Sequence, residues 1–250
     1  MRLSGVFVRV HKKGLEMKVD VKLAATAIVA VGTSTVLAGV AGTVGVDFGD
    51  QSNITPGNYN NVDHIQNPIF NLIDTTGAGT GYTLTVTDNF WPGSNQSGAG
   101  AGEGDAAGIP SAATSDNLFG SLTDFGGFTE PTGGFTIGGL DASGVTTYDF
   151  LFFGSRIGVS DNRETMYTAS GLNSEFALLD TANNTSNVAL ISGIRADANG
   201  EISISVTAGP NNTSSFGFYY LGYMEFATVP APAAPLVLGG GSLLLFRRRR

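Results

Sequence analysis

Three aspartates, Asp47, Asp50 and Asp63, lie close together near the start of the central part of the chain. With backbone carbonyls they could surround a calcium ion, which takes six to eight oxygens. No EF-hand spacing accompanies them, so a solvated acidic loop is the other reading. A second group comprises Arg156, Asp161, Asn162, Arg163 and Glu164. A guanidinium fork suits sugar hydroxyls and carboxylates. Either these side chains form a polar rim for a saccharide, or the arginines pair internally with Asp161 or Glu164. Trp91, the only tryptophan, and Tyr59 offer flat apolar faces on which sugar C–H groups can stack. Burial of Trp91 in the core is the alternative.

Catalytic chemistry finds little purchase. His64 is the only histidine between residues 43 and 228. It stands without a nucleophile elbow or a paired-histidine zinc motif. Carboxylate pairs could hydrolyse glycosides, but the acids are scattered along the segment. The chain has no cysteine, which removes thiolate metal sites, disulfides and thiol nucleophiles. The expectation is a protein that is not an enzyme, with calcium as the one cofactor its residues could take.

Charge narrows the partners. Residues 43–228 hold Arg156, Arg163 and Arg195, no lysine and 19 acids, a formal charge of −16. Such a field repels nucleic acid and anionic lipid.

The elements that must position these residues read as strands. Gly81–Thr87 alternates Tyr82, Leu84 and Val86 with threonines, the period of a half-buried strand. Val44–Phe48, Phe176–Leu179, Asn187–Ile191, Glu201–Thr207 and a long closing segment, Phe216–Phe226, also read as strands, and Tyr148–Phe153 as a more apolar core strand. Asn173-Ser174, Asp197–Gly200 and Gly209–Asn212 mark turns. Ser111–Phe119 suits one short helix. Residues 92–115, rich in Gly, Ala and Ser, read as a flexible loop. Short strands with few helices predict an all-β fold, a two-sheet antiparallel sandwich of jelly-roll type. Its closing strand would pair with its first.

The ends have another character. Six basic residues precede an apolar run that begins at Leu23, and small residues from Ala38 to Gly42 close it. That layout predicts a signal peptide over 1–42, cleaved by signal peptidase, with Met1 or Met17 as the start. Residues 229–250 open with Val229, Pro230, Ala231 and Pro232. They continue apolar to Phe246 and end on Arg247, Arg248, Arg249 and Arg250. The prolines shorten any helix there, and the arginines should stay cytoplasmic. The physics is that of a brief anchor in the inner membrane.

This tail resembles the PEP-CTERM sorting signal, with Ala231 where the motif usually carries glutamate. The resemblance implies recognition by an exosortase, and then cleavage and release or attachment at the cell surface. Within 43–228, Val46–Gly49, Asn58–Val62, Asp116–Gly120, Tyr148–Arg156 and Asp161–Thr165 resemble a module of exported bacterial proteins. Asn183–Asn187, Asp197–Gly200 and Gly209–Asn212 belong to the same resemblance. The module is similar to galactose-binding-like jelly rolls. It implies a surface or matrix protein that associates with polysaccharide, with a purely adhesive role or an esterase or glycosidase activity as the rivals.

Overall fold

The computed structural model describes residues 9–13, 16–20, 42–64 and 68–229. The chain divides into two units between Thr33 and Ser34. In the first, β1 (Arg9–Lys13) and β2 (Glu16–Asp20) pair antiparallel, Arg9 across from Asp20 and Lys13 across from Glu16. The apolar run of the expected signal peptide lies outside the described residues, as do Pro230, Ala231, Pro232, the apolar tail and Arg247 to Arg250. Among the described residues no helix is long and apolar enough to cross a membrane.

The second unit is β-rich. It runs β3 (Thr43–Phe48), β4 (Asn60–Val62), β5 (Ile69–Phe70), β6 (Thr83–Asp88), β7 (Ser94–Asn95), α1 (Ser111–Ser115), β8 (Asn117–Phe125) and β9 (Phe128–Glu130). Then come β10 (Thr132–Gly138), β11 (Thr147–Phe153), β12 (Glu164–Ser170), β13 (Ser174–Asp180), β14 (Ala189–Ile194), β15 (Ile202–Ala208), β16 (Tyr219–Leu221) and β17 (Tyr223–Val229). One sheet has the order β13-β12-β15-β10-β6-β5, and the other β14-β11-β17-β3-β4. A smaller sheet, β16-β8-β7, carries β9 on β8. Neighbours are antiparallel except β3 and β4, which run parallel.

Alternation puts the two large sheets face to face. Leu84 of β6 and Ile202, Ile204 and Val206 of β15 are buried, while Ser203 and Ser205 point outward. Aromatic rings cross the gap. Phe48 meets Phe135 at 5.0 Å, and Phe152 stacks on Tyr167 at 4.8 Å and 8°. Each such ring, fully buried, contributes about 1.5–3 kcal/mol. The Tyr167 hydroxyl, which could not be buried unpaired, donates to the Tyr220 carbonyl at 2.7 Å.

Two expectations need correction. Residues 92–115 are not a loose linker. Ala99, Ala106, Ile109 and Ala113 are buried against Leu151, Phe153 and Tyr223, on the outer face of the five-stranded sheet. The Ser97 carbonyl accepts from Ile157 N, and Glu103 N donates to Thr185 O, both at 2.7 Å. Small side chains let this segment lie flat on the sheet, so its composition serves close packing. The segment Phe216–Phe226 is not one strand either. It breaks at Gly222, so that β16 joins β8 while β17 enters between β3 and β11. The first strand and the last do pair, Tyr223 with Asp47 through Ala227 with Thr43. Val229 ends β17 opposite Thr147.

Candidate functional site

The strand β8 organises two neighbouring features. Its far half is aromatic. Gly126 and Gly127, at φ 64° and 88°, make the tight turn into β9. Phe119 is held between Trp91, at 5.0 Å and 25°, and Tyr220, at 6.1 Å and 24°. Phe125 stands edge-on to Phe218 at 4.8 Å and to Phe216 at 5.3 Å. Phe128 meets Trp91 edge-on at 5.9 Å. The cluster reaches solvent at Leu122, Phe128 and Phe216, which are 46%, 43% and 36% exposed. Trp91 is half-buried, and its indole N–H donates to Phe125 O at 2.9 Å.

Arg163 closes the cluster from the other side. Its guanidinium lies 5.0 Å over Phe218 and 5.7 Å over Tyr220. Its Nε donates to Asp161 at 3.0 Å, and an Nη donates to the Tyr220 hydroxyl. The guanidinium holds the Asp161 carboxyl below its ordinary range. The structure therefore brings Trp91, Arg163 and Asp161 together through Phe119 and Tyr220. Of the two readings of the arginine segment, Arg163 follows internal pairing.

The remaining residues of that segment serve the backbone. Asn162 donates to Asp180 at 3.0 Å and accepts from Glu164 N at 2.8 Å. Glu164 is buried and accepts from Asn211 N and Nδ2 at 2.9 and 3.1 Å, fixing the 209–212 turn. Arg156 bridges to Ala182 and donates to Ile157 O. Tyr59 is elsewhere, 6.5 Å from Tyr223 and packed with the 99–113 segment.

The near end of β8 is acidic. Asp47, Asp50 and Asp63 line one small cleft, open to solvent, with Gln51, Ile54 and Asn61. Asp47 is 2% exposed. Its Oδ2 accepts from Thr55 N at 2.9 Å, and the Thr55 hydroxyl is buried beside the same carboxyl and stabilises its charged form. Burial pushes the Asp47 carboxyl up to about 6, against the pull of Thr55 and with the help of Asp116. Asp50 is held below its ordinary range, chiefly by Ser52. Gln51 donates to Asp63. His64 is half-buried next in sequence and lies within electrostatic reach of Asp50.

Sequence reasoning did not single out Asp116 for this site. It is fully buried, accepts from Asp50 N at 2.5 Å and Asn53 Nδ2 at 2.9 Å, and is raised by burial. It packs against Gly49, where a Cβ would lie 2.3 Å from its Oδ2. The aromatic crest was also missed, although the doubled glycine between Phe125 and Phe128 is a hairpin signal. Among the described residues no three His, Cys, Asp or Glu side chains converge to hold a metal ion. The calcium expected at Asp47, Asp50 and Asp63 has no ready shell, because hydrogen bonds engage Asp50 and Asp63. Comparison with known protein families, curated proteins and solved structures finds no match for this chain.

Proposed function

We propose that this chain is an exported, non-enzymatic cell-surface or extracellular-matrix protein whose sandwich, of jelly-roll kind, binds polysaccharide at the aromatic crest. One observation carries the reading: Phe128, Phe216 and Leu122 hold large apolar area in solvent beside half-buried Trp91. Rings at a surface favour sugar C–H faces. The exposed Asp124 and half-buried Glu130 flank the hairpin, and Arg163 is already paired, so the ligand is a neutral polysaccharide. Export rests on the basic and apolar N-terminus and on the Val229–Arg250 tail, which an exosortase would process at the inner membrane.

Fluorescence of Trp91 reports the crest directly. Titration with dextran or hydroxyethyl cellulose should shift its emission, and alginate should not. Phe128→Ala should weaken the neutral polymer at least tenfold. A silent Trp91 with every polymer, together with no retention on insoluble glucans, refutes polysaccharide binding and favours a purely adhesive role. Release of acetate or reducing sugar from acetylated glycans refutes the non-enzymatic reading.

A further inference from the structure

We propose that the end of the sandwich at which β17 stops seats on the surface of a phospholipid bilayer. The inference rests on the reading of residues 229–250 as an inner-membrane tail, and it starts from large apolar side chains left in water. Val145, in the turn from β10 to β11, is 69% exposed, and Leu172, in the turn from β12 to β13, is 58% exposed. The two turns adjoin, since a Cβ on Gly144 would lie 3.0 Å from a Leu172 methyl. Val229, also exposed, ends β17 across from Thr147. Phe70, 73% exposed, lies across from Thr83, the first residue of β6, and Thr83 in turn lies across from Gly138, the last of β10. Turns and strand ends thus bring four apolar side chains to one end of the domain. Single apolar side chains scattered over a surface are ordinary, but four gathered at one end mark a contact.

Length and charge select the bilayer. Three residues, Pro230, Ala231 and Pro232, separate Val229 from the apolar run that starts at Ala233. Fully extended, Val229 to Ala233 spans at most roughly 13 Å, and the headgroup layer is itself about 5–8 Å deep. With Ala233 at the hydrocarbon edge, Val229 reaches the headgroups and the neighbouring turns stand over them. Among the arginines of residues 43–228, Arg195 alone is exposed. Its N–H donates to Asn173 Oδ1 and its carbonyl accepts from Leu172 N, both at 2.8 Å, which fixes the cation beside Leu172. A guanidinium there suits a lipid phosphate. The aspartates of this end are spent on their own turns. Asp74 accepts from Gly42 N and the Thr76 hydroxyl, Asp141 from Ser143 N and the Thr146 hydroxyl, and Asp197 from Asn199 N and Glu201 N. Glu201 stays exposed, and with the charge of −16 over residues 43–228 it favours zwitterionic over anionic lipid.

The full chain has no cysteine of its own, so single labels test the proposal. Val145→Cys, Ile54→Cys and Leu244→Cys, each carrying a nitrobenzoxadiazole fluorophore, are reconstituted in phosphatidylcholine vesicles, with and without phosphatidylcholine spin-labelled near the headgroup. The label at 145 should brighten about twofold in the vesicles and be quenched by the spin label. The label at 54, beside Asp47 at the opposite end, should do neither. Leu172→Asp with Arg195→Glu should abolish quenching at 145 and leave quenching at 244 unchanged. Both residues are exposed, and Arg195→Glu alone serves if the double variant does not fold. Quenching at 244 without quenching at 145 overturns the proposal and leaves the tail reading standing. Quenching at 145 that survives these substitutions overturns it too, because the tail alone then accounts for the proximity. Absence of quenching at 244 refutes the tail reading. Quenching at 145 would then still support a seat on the bilayer, and its absence would overturn that as well.

Discussion

Arg163 and Asp47 are charged side chains set into the two ends of the same neighbourhood, and the fold treats them in opposite ways. Arg163 meets a carboxylate, a phenol and two ring faces. Asp47 meets the backbone N–H and side chain of one residue, Thr55, and faces a second buried acid, Asp116. The contrast separates a charge that the fold holds from one that it resists. A charge paired with a carboxylate and a phenol and stacked on two rings is tied into the fold. A buried carboxyl held only by Thr55 and facing another acid opposes folding once it is ionised.

Substitutions can break that contrast. The largest effect belongs to Arg163→Met, which takes the guanidinium away from the Tyr220 hydroxyl and from Asp161. It should cost about 2–4 kcal/mol in denaturant unfolding. A loss under about 0.5 kcal/mol would mean that Arg163 is not a structural residue. Asp47→Asn should go the other way, gaining about 1–3 kcal/mol at pH 7.5, since a carboxyl raised to about 6 opposes folding once ionised. The gain should vanish below about pH 4, where the acid is protonated in both states. A destabilised Asp47→Asn protein at pH 7.5 would show that the ionised form is supported.

The pH dependence sharpens the same point with two opposite signs. The contribution of Asp47 is full below about pH 4 and is lost as pH rises through about 6. Asp161 is lowered, so its contribution is present above about pH 4 and is lost as pH falls below the ordinary carboxylate range. Urea midpoints between pH 3 and pH 8 should therefore flatten at the acid end in Asp161→Asn and at the neutral end in Asp47→Asn. The smallest effect is that of Gly127→Ala. At φ 88° it should cost about 1 kcal/mol and loosen the β8–β9 hairpin, with little change at Asp47.

The sequence was most legible where side chains alternate against a flat sheet. β6 and β15 follow period two, β3 and β11 are apolar runs covered on both faces, and each was expected nearly in place. β10 escaped notice because Gly133 and Gly134 erase the alternation. A Cβ on Gly133 would lie 2.5 Å from the Phe90 ring, so a neighbour fills the space that its own side chain would take. The 92–115 segment misled for a related reason, since alanine looks the same in a linker and in a thin packed layer. The site was half legible. The acids that line the cleft could be chosen by their closeness in sequence. Asp116 and Phe216 arrive from distant connecting segments, which local spacing does not encode. That Phe128 is exposed while Phe119 is not depends on where β8 leaves β16.

The antiparallel register of β3 with β17 has a mechanical consequence. Thr43 lies across from Ala227, so the polypeptide enters and leaves the sheet at one pole, while Asp47 and Tyr223 mark the other. The seven residues of β17 separate the poles by roughly 20 Å at about 3.3 Å per residue. A tether continuing from Val229 would point the acid cleft and the ring crest away from whatever holds it. Tension on that tether would load an interior strand flanked on both sides, and two ladders would have to shear together before the domain could be pulled open.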